Sequence, residues 1–370
     1  MLKELPKNKL NILMVTQELD PIGDVLGFVW MWVTKLSEQV NYLFAVALRV
    51  KKVKEKPQNL EYFPLITHGK YNVFPKVTLQ ILATLKLWFI IMRLWSRRRL
   101  NLVFTHMCPE FTIASAPICK VLRIPIVMWY AHKHVSSKLK LAYALSDKVV
   151  TSHERDCRIR GKKTIVIGQG ITVPKISVNE NKNENTIISV GRISRIKAYE
   201  FIIKALSEVI NELKYVKLKI IGPIYDEQYY QLLIKLIKDL SLEKHVIFVG
   251  QVPHSQMEEH YLNSTVFVSA CHAFDKAPLE AMAYGLPTIV CDDTFDEILS
   301  DLIPYCRYTP GNHKELAQKL IKILSDKKLR NEVGKQLRER VVKGHSVDNF
   351  IKKLVEIFKS LTENNKRGVA

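Results

Sequence analysis

The 370-residue sequence predicts an α/β protein made of two halves, each a parallel sheet with crossover helices. Three observations lead there. Short apolar runs alternate with longer helical patterns from one end to the other, as strand-helix-strand units do. The polar stretch 174–185, with the run Asn179-Glu180-Asn181-Lys182-Asn183-Glu184-Asn185, interrupts that alternation near the middle and reads as a linker. The length exceeds what one core ordinarily supports, and an apolar fraction of 47% is enough for two. The domains drawn on this basis are 1–174, 175–350 and a C-terminal helix and tail at 351–370 that packs back on the first domain.

Taken in order, the strands of the first half are expected at 10–16, 42–47, 102–105, 126–130, 148–151 and 165–167. Those of the second half are expected at 186–190, 217–221, 246–249, 265–269 and 288–291. After Lys197, Phe201, Ile202, Ala205, Leu206, Val209, Ile210 and Leu213 recur at helical spacing, so one face of a helix is buried. A second helix is expected to begin at Pro278, a favourable first-turn residue, and to stop near Gly285-Leu286-Pro287.

Charge is unevenly divided. Residues 1–170 hold 27 Lys and Arg against 11 Asp and Glu, a net of +16, whereas the remaining residues hold 29 against 25, a net of +4. An excess of this size fits either a solvated basic face or a surface that meets a polyanion, whether anionic membrane or nucleic acid. No nucleic-acid module is recognisable and aromatics are not interleaved with the basic residues, so no specific nucleic-acid partner is expected. Residues 79–95 are the most apolar stretch and precede Arg97-Arg98-Arg99. Lys86 and Arg93 interrupt it and disfavour a spanning helix. Two readings stand: a core helix, or an interfacial helix with Trp88 and Trp95 on one face and cations reaching headgroups. The six scattered cysteines show no metal or redox spacing and suit a reducing compartment. The first apolar run is short for a signal peptide, so the expected location is cytoplasmic, or peripheral on the cytoplasmic face of the membrane.

Ligands of parallel α/β sheets bind beyond the carboxyl ends of the strands, which directs attention to the loops there. Val190-Gly191-Arg192 ends a strand and Lys197 precedes a helix, a glycine and two cations beside a helix start that make an anion site. The second loop, 269–287, contains His272, Phe274, Lys276, Ala277 and Glu280. Glu280, expected in the first helical turn, can accept both hydrogens of a vicinal diol. His132 follows the strand 126–130, with His106, His134 and His153 as alternatives for the same position. Gly23 and Gly27 lie in a turn after the first strand.

Gly191-Arg192 with Lys197, followed by Phe274, Glu280-Ala281-Met282-Ala283, Gly285 and Pro287, resembles the donor-binding half of glycosyltransferase family 4. Ile221-Gly222-Pro223, Phe248-Val249-Gly250, Trp129-Tyr130-Ala131-His132-Lys133 and Thr105-His106-Met107 extend the likeness over roughly residues 10–345. The pattern departs at three places. His272 stands where the family has the first of two glutamates, and Ala273 and Asp275 stand where glycines are common.

The resemblance implies a GT-B fold, two Rossmann-like domains facing each other across a cleft, and transfer of a sugar from a nucleotide-sugar donor to a hydroxyl acceptor with retention of configuration. The acceptor would be lipid-linked or a cell-surface glycan precursor. By the same likeness Arg192 and Lys197 hold the diphosphate, His132 touches the donor sugar, and Glu280 holds the ribose. Gly23, Gly27, Gly191, Gly222, Gly250, His272, Phe274, Lys276 and Ala277 complete the donor site. Cations placed where charge grows on the leaving diphosphate stabilise that change, so no metal and no cofactor are expected. The competing readings are a non-catalytic, isomerising or hydrolysing relative and a basic nucleic-acid-binding protein.

Overall fold

The structure is a computed structural model and describes residues 8–20, 27–51, 55–66, 76–98, 100–159, 161–175 and 185–367. It divides into two units, one comprising Met1–Gly170 with Val347–Ala370 and the other Ile171–Ser346. Most of the stretch read as a linker lies outside the described residues. All six cysteines are free, five of them buried.

Among the described residues, the first unit holds a seven-stranded parallel sheet: β1 (Asn8–Leu19), β2 (Val40–Val50), β3 (Leu60–Pro64), β4 (Leu102–His106), β5 (Ile126–Trp129), β6 (Lys148–Thr151) and β7 (Thr164–Val166). Their spatial order is β3-β2-β1-β4-β5-β6-β7. Helices α1 (Gly27–Gln39), α2 (Lys76–Arg98), α3 (Pro109–Val121) and α4 (Ser137–Leu145) are the crossovers. Side chains alternate across a strand, and on β1 both sets are apolar because both faces of the sheet are covered. Ile12 and Met14 enter the core that holds Val29, Trp32 and Leu36 of α1. Leu13 and Val15 enter the one that holds Leu87 and Ile91 of α2 and Phe111 of α3.

The helix Val347–Arg367 belongs to this first unit. Its Phe350 ring lies 4.2 Å from that of Trp32 and 5.1 Å from that of Trp129, and its Phe358 lies 5.5 Å from Phe104. Trp32 Nε1 also donates to the carbonyl of Gly170 at 2.8 Å. The strand β3 was not foreseen. It is a short edge strand ending in proline, paired only with β2, so its apolar signal is weak.

On α2, Leu87, Ile90, Ile91 and Leu94 are buried in the core that holds Leu13 and Val15, while Val77, Ile81, Phe89 and Trp95 are exposed. The helix is therefore a core helix on one side only. Trp88 shares the face of Trp95 by helical spacing, but it is half-buried and its Nε1 donates to the Ala114 carbonyl at 2.7 Å. Lys86 Nζ donates to the Pro64 carbonyl at 2.7 Å.

The second unit is a five-stranded parallel sheet of β8 (Asn185–Val190), β9 (Val216–Ile221), β10 (Val246–Gly250), β11 (Val266–Ser269) and β12 (Thr288–Val290), ordered β10-β9-β8-β11-β12. The helices α5 (Tyr199–Glu212), α6 (Glu227–Asp239), α7 (Met257–Leu262) and α8 (Lys276–Ala283) connect these strands. Ile202, Ala205, Leu206 and Val209 of α5 are buried, and Phe201, Ile210 and Leu213 pack partly buried on the same core. The strand order reverses between β8 and β11, and the carboxyl ends of two strands at such a switch point are where sheets of this kind have their ligand crevice.

Candidate functional site

The loop leaving β8 is shaped by two glycines. Gly191 has φ +154°, a conformation that residues with a side chain rarely adopt, and the Lys197 stem lies across the strand end, where a Cβ at 191 would stand 2.6 Å from its Cε and displace it. Gly222, the residue after β9, has φ +149° and would place a Cβ 2.1 Å from the Gly191 carbonyl oxygen. Gly191 N donates to Ile221 O and Gly222 N to Gly250 O, both at 2.8 Å, so three adjacent strand ends are joined into one surface.

Lys197 closes the short 3-10 turn Arg195–Lys197. The next residue, Ala198, has φ +49°, a left-handed conformation that costs roughly 1–2 kcal/mol for a residue with a Cβ. Surroundings hold it there: Tyr199 OH donates to the Gly191 carbonyl at 2.7 Å and fixes the start of α5 to the strand end. Strain of this kind persists where the neighbouring structure over-determines the backbone.

Arg192 is placed differently. Its guanidinium lies 4.9 Å above the ring of the exposed Tyr225. The loop carrying that ring is tied back by Ile193 N donating to Pro223 O at 2.9 Å and Tyr225 N donating to Ile193 O at 3.1 Å. Stacking engages the face of the guanidinium, whereas its N–H groups point outward in the plane, where they can fork onto an anion.

Lys197 Nζ is ion-paired with Asp275, with 14% and 30% of the two side chains exposed. That pair joins the loop after β8 to the loop after β11 across the crevice. Asp275 also caps α8, its Oδ1 accepting from Lys276 N at 2.9 Å. One carboxylate thus performs two tasks, and the lysine read as an anion ligand already holds an anion. The cap moves the start of α8 to Lys276, so Pro278 is its third residue and Glu280 lies past the first turn, correcting the expectation.

Glu280, 17% exposed, is gripped from two sides. His254 Nε2 lies 3.1 Å from Oε1, and Tyr261 OH donates to Oε2 at 3.2 Å. The hydrogen bond to Glu280 raises the His254 pKa above its ordinary value against the opposing effect of burial. An ionised carboxylate offers about four acceptor positions, so two are occupied and the group remains a fixed acceptor. Burial pushes the Lys276 ammonium down to about 7, with the charges of Glu280 and Asp275 opposing the shift. Sequence reasoning missed His254 and Tyr261. The available signal was the position of His254 just beyond the carboxyl end of β10.

The remaining expected residues divide. Gly191, Gly222, Gly250, Arg192, Lys197, Lys276, Ala277 and Glu280 gather at the carboxyl ends of β8 to β11, and His272 is exposed on the loop after β11. Phe274 is instead a core residue, 6% exposed and packed on Phe295 at 4.8 Å and on His345 at 5.5 Å. Gly23 lies outside the described residues, and Gly27 opens α1.

In the first unit, His132 N donates to Asp156 O at 2.7 Å and its Nδ1 accepts from His134 N at 3.0 Å. The neutral ring therefore carries its proton on Nε2. Of the alternatives, His106 is buried, 3.1 Å from Thr16 Oγ1 and edge-on to Trp32, and His153 caps the turn Glu154–Asp156. Among the described residues, no group of three or more His, Cys, Asp or Glu side chains is arranged to hold a metal ion.

Residues 174–340 match the family described as Glycosyl transferases group 1. The capsular polysaccharide biosynthesis glycosyltransferase CapM of Staphylococcus aureus is 25% identical over 228 residues, 55% of this chain and 56% of that protein. The chain spans about half the length of the curated relatives it matches. Among solved structures, sucrose-phosphate synthase from Thermosynechococcus elongatus aligns with a TM-score of 0.76 at 17% identity, covering 96% of this chain and 100% of that one. HepE of Anabaena, solved with UDP and glucose, aligns with a TM-score of 0.74 at 16% identity over 95% of this chain and 100% of its own. These likenesses show the fold, a pair of Rossmann-like units of the GT-B kind. The likeness to the family described as Glycosyl transferases group 1 thus lies in residues 174–340, the second unit.

Proposed function

We propose that the protein transfers a sugar from a nucleotide-sugar donor to a hydroxyl acceptor, retaining the anomeric configuration. The acceptor in this reading is a lipid-linked or glycan precursor met at the cytoplasmic face of the membrane. The observation that carries it is the switch point between β8 and β11, with Arg192, Lys197 and the doubly held Glu280 on the loops and helix that follow these two strands. HepE, which shares the fold, binds UDP and glucose.

In this mechanism the diphosphate takes Lys197 from Asp275, and Arg192 forks onto its oxygens. Negative charge grows there as the glycosidic bond breaks, and cations fixed beforehand stabilise that change without reorganising. Glu280 accepts the ribose hydroxyls. Its grip by His254 and Tyr261 means that little side-chain freedom is lost on binding. The His132 Nε2–H is the donor the reading assigns to the sugar. These groups need no metal for the step.

Two observations favour a second reading, a relative that binds a donor without transferring it. His272 replaces a carboxylate, and Asp275 competes for Lys197. Release of nucleoside diphosphate from a panel of nucleotide sugars, with and without membrane extract, separates the two. Release that depends on the extract supports transfer. Binding of a donor with no release under either condition supports the second reading.

A further inference from the structure

The helix segment Val77–Arg97 is long and apolar enough to cross a membrane by length and composition alone. Its packing specifies another role. Leu87, Ile90, Ile91 and Leu94 are built into the core of the first unit, so a spanning orientation would strip that core. On the other side Val77, Ile81, Leu85, Phe89, Met92 and Trp95 are each between 45% and 66% exposed. At about 100° per residue these six occupy an arc of roughly 120°, turned away from the buried one. A soluble surface seldom leaves so continuous an apolar stripe without a partner.

Charge identifies the partner. Lys86, Arg93 and Arg97 follow one edge of the stripe, and α2 contains no acidic residue. The surrounding residues 1–170 carry a net charge of +16. Two copies pressed together on this face would oppose like charges, whereas an anionic bilayer complements both the stripe and its edge.

We propose that the exposed face of α2 docks in the plane of an anionic membrane, the stripe seated at the boundary between headgroups and acyl chains and the edge cations on lipid phosphates. The inference rests on the reading above only for its purpose, bringing the enzyme to a lipid-linked acceptor. Attachment itself requires no donor and is measured without one.

The test is co-sedimentation of the full chain with phosphatidylcholine vesicles containing phosphatidylglycerol, at low and high salt. Wild type is compared with the pair Leu85→Ser, Phe89→Ser and with the pair Arg93→Gln, Arg97→Gln. Sedimentation velocity and melting temperature are read on the same samples. Wild type should bind at low salt, and high salt or either pair should weaken binding about ten-fold or more, as expected of reversible interfacial attachment. The chains should stay monomeric and melt alike. Four results would overturn the proposal: no binding by wild type, equal binding by the variants, attachment that resists salt and carbonate as a spanning helix does, or a dimer abolished by the Leu85 and Phe89 pair. None of these depends on nucleotide release, so failure here and failure of the transfer reading are separate events.

Discussion

Asp275→Asn isolates the ion pair that ties the two loops of the crevice. Asparagine caps a helix about as well as aspartate, so α8 keeps its hydrogen bond to Lys276 N while Lys197 loses its counter-charge. With 14% and 30% of the side chains exposed, the pair lies between the surface case, about 0.2–1 kcal/mol, and the buried case, where breaking one partner costs about 3–5 kcal/mol. A loss of about 1–3 kcal/mol in unfolding free energy is expected. If the diphosphate must take Lys197 from Asp275, the same 1–3 kcal/mol returns on binding, tightening it by about 5-fold to 150-fold. Calorimetric titration with UDP, GDP and ADP in turn measures the affinity, and urea unfolding measures the stability. A variant that loses stability but binds its diphosphate within two-fold of wild type would refute the reasoning, because Lys197 would then not meet the ligand.

Three further expectations follow from the site. Arg192→Ala should lower kcat by about 10²–10³, the cost of one preorganised donor, with little change in melting temperature because its stacking partner Tyr225 is exposed; wild-type turnover at saturating donor would remove Arg192 from the mechanism. Glu280→Gln should weaken donor binding and let the His254 pKa fall back, as followed by NMR titration. The sign is set by the raised pKa: the stability that His254 contributes is full below its unfolded value and lost as pH rises through the folded one, so a wild-type pH profile matching that of His254→Gln would contradict the pairing. Lys276, held near 7 by burial, is largely neutral at pH 8, so diphosphate binding there should take up a proton. Titration in buffers of different ionisation enthalpy reads this directly, and enthalpies that do not vary with buffer would place Lys276 away from the ligand.

The second unit was the more legible in the sequence, because its elements announce themselves locally. The period of Phe201 to Leu213, the strand-end glycines and the polar turns between apolar runs are local signals, and the structure has them close to where they were read. What escaped is tertiary. His254 and Tyr261 lie 26 and 19 residues from Glu280, and no spacing rule connects them. Asp275 looked like a departure from a glycine position, yet it is both the α8 cap and the partner of Lys197, which depends on loops from two different strands meeting. Pro278 drew the helix start two residues too late, since proline is tolerated throughout the first turn and the cap decides. Phe274 has a loop residue's sequence context but a core residue's packing. In α2 the core reading holds for one side only, because apolar residues go all round the helix while the protein covers one side.

The central claim is that the crevice between β8 and β11 holds a nucleotide-sugar donor whose sugar is passed on. The most direct measurement is anomer-resolved NMR of the product formed from a nucleotide sugar in the presence of membrane extract, with EDTA added to one arm. The account predicts a new glycoside with the donor's anomeric configuration, formed with and without EDTA, and lost in Arg192→Ala. A product of inverted configuration, a requirement for metal, or turnover that survives the loss of Arg192 would contradict it.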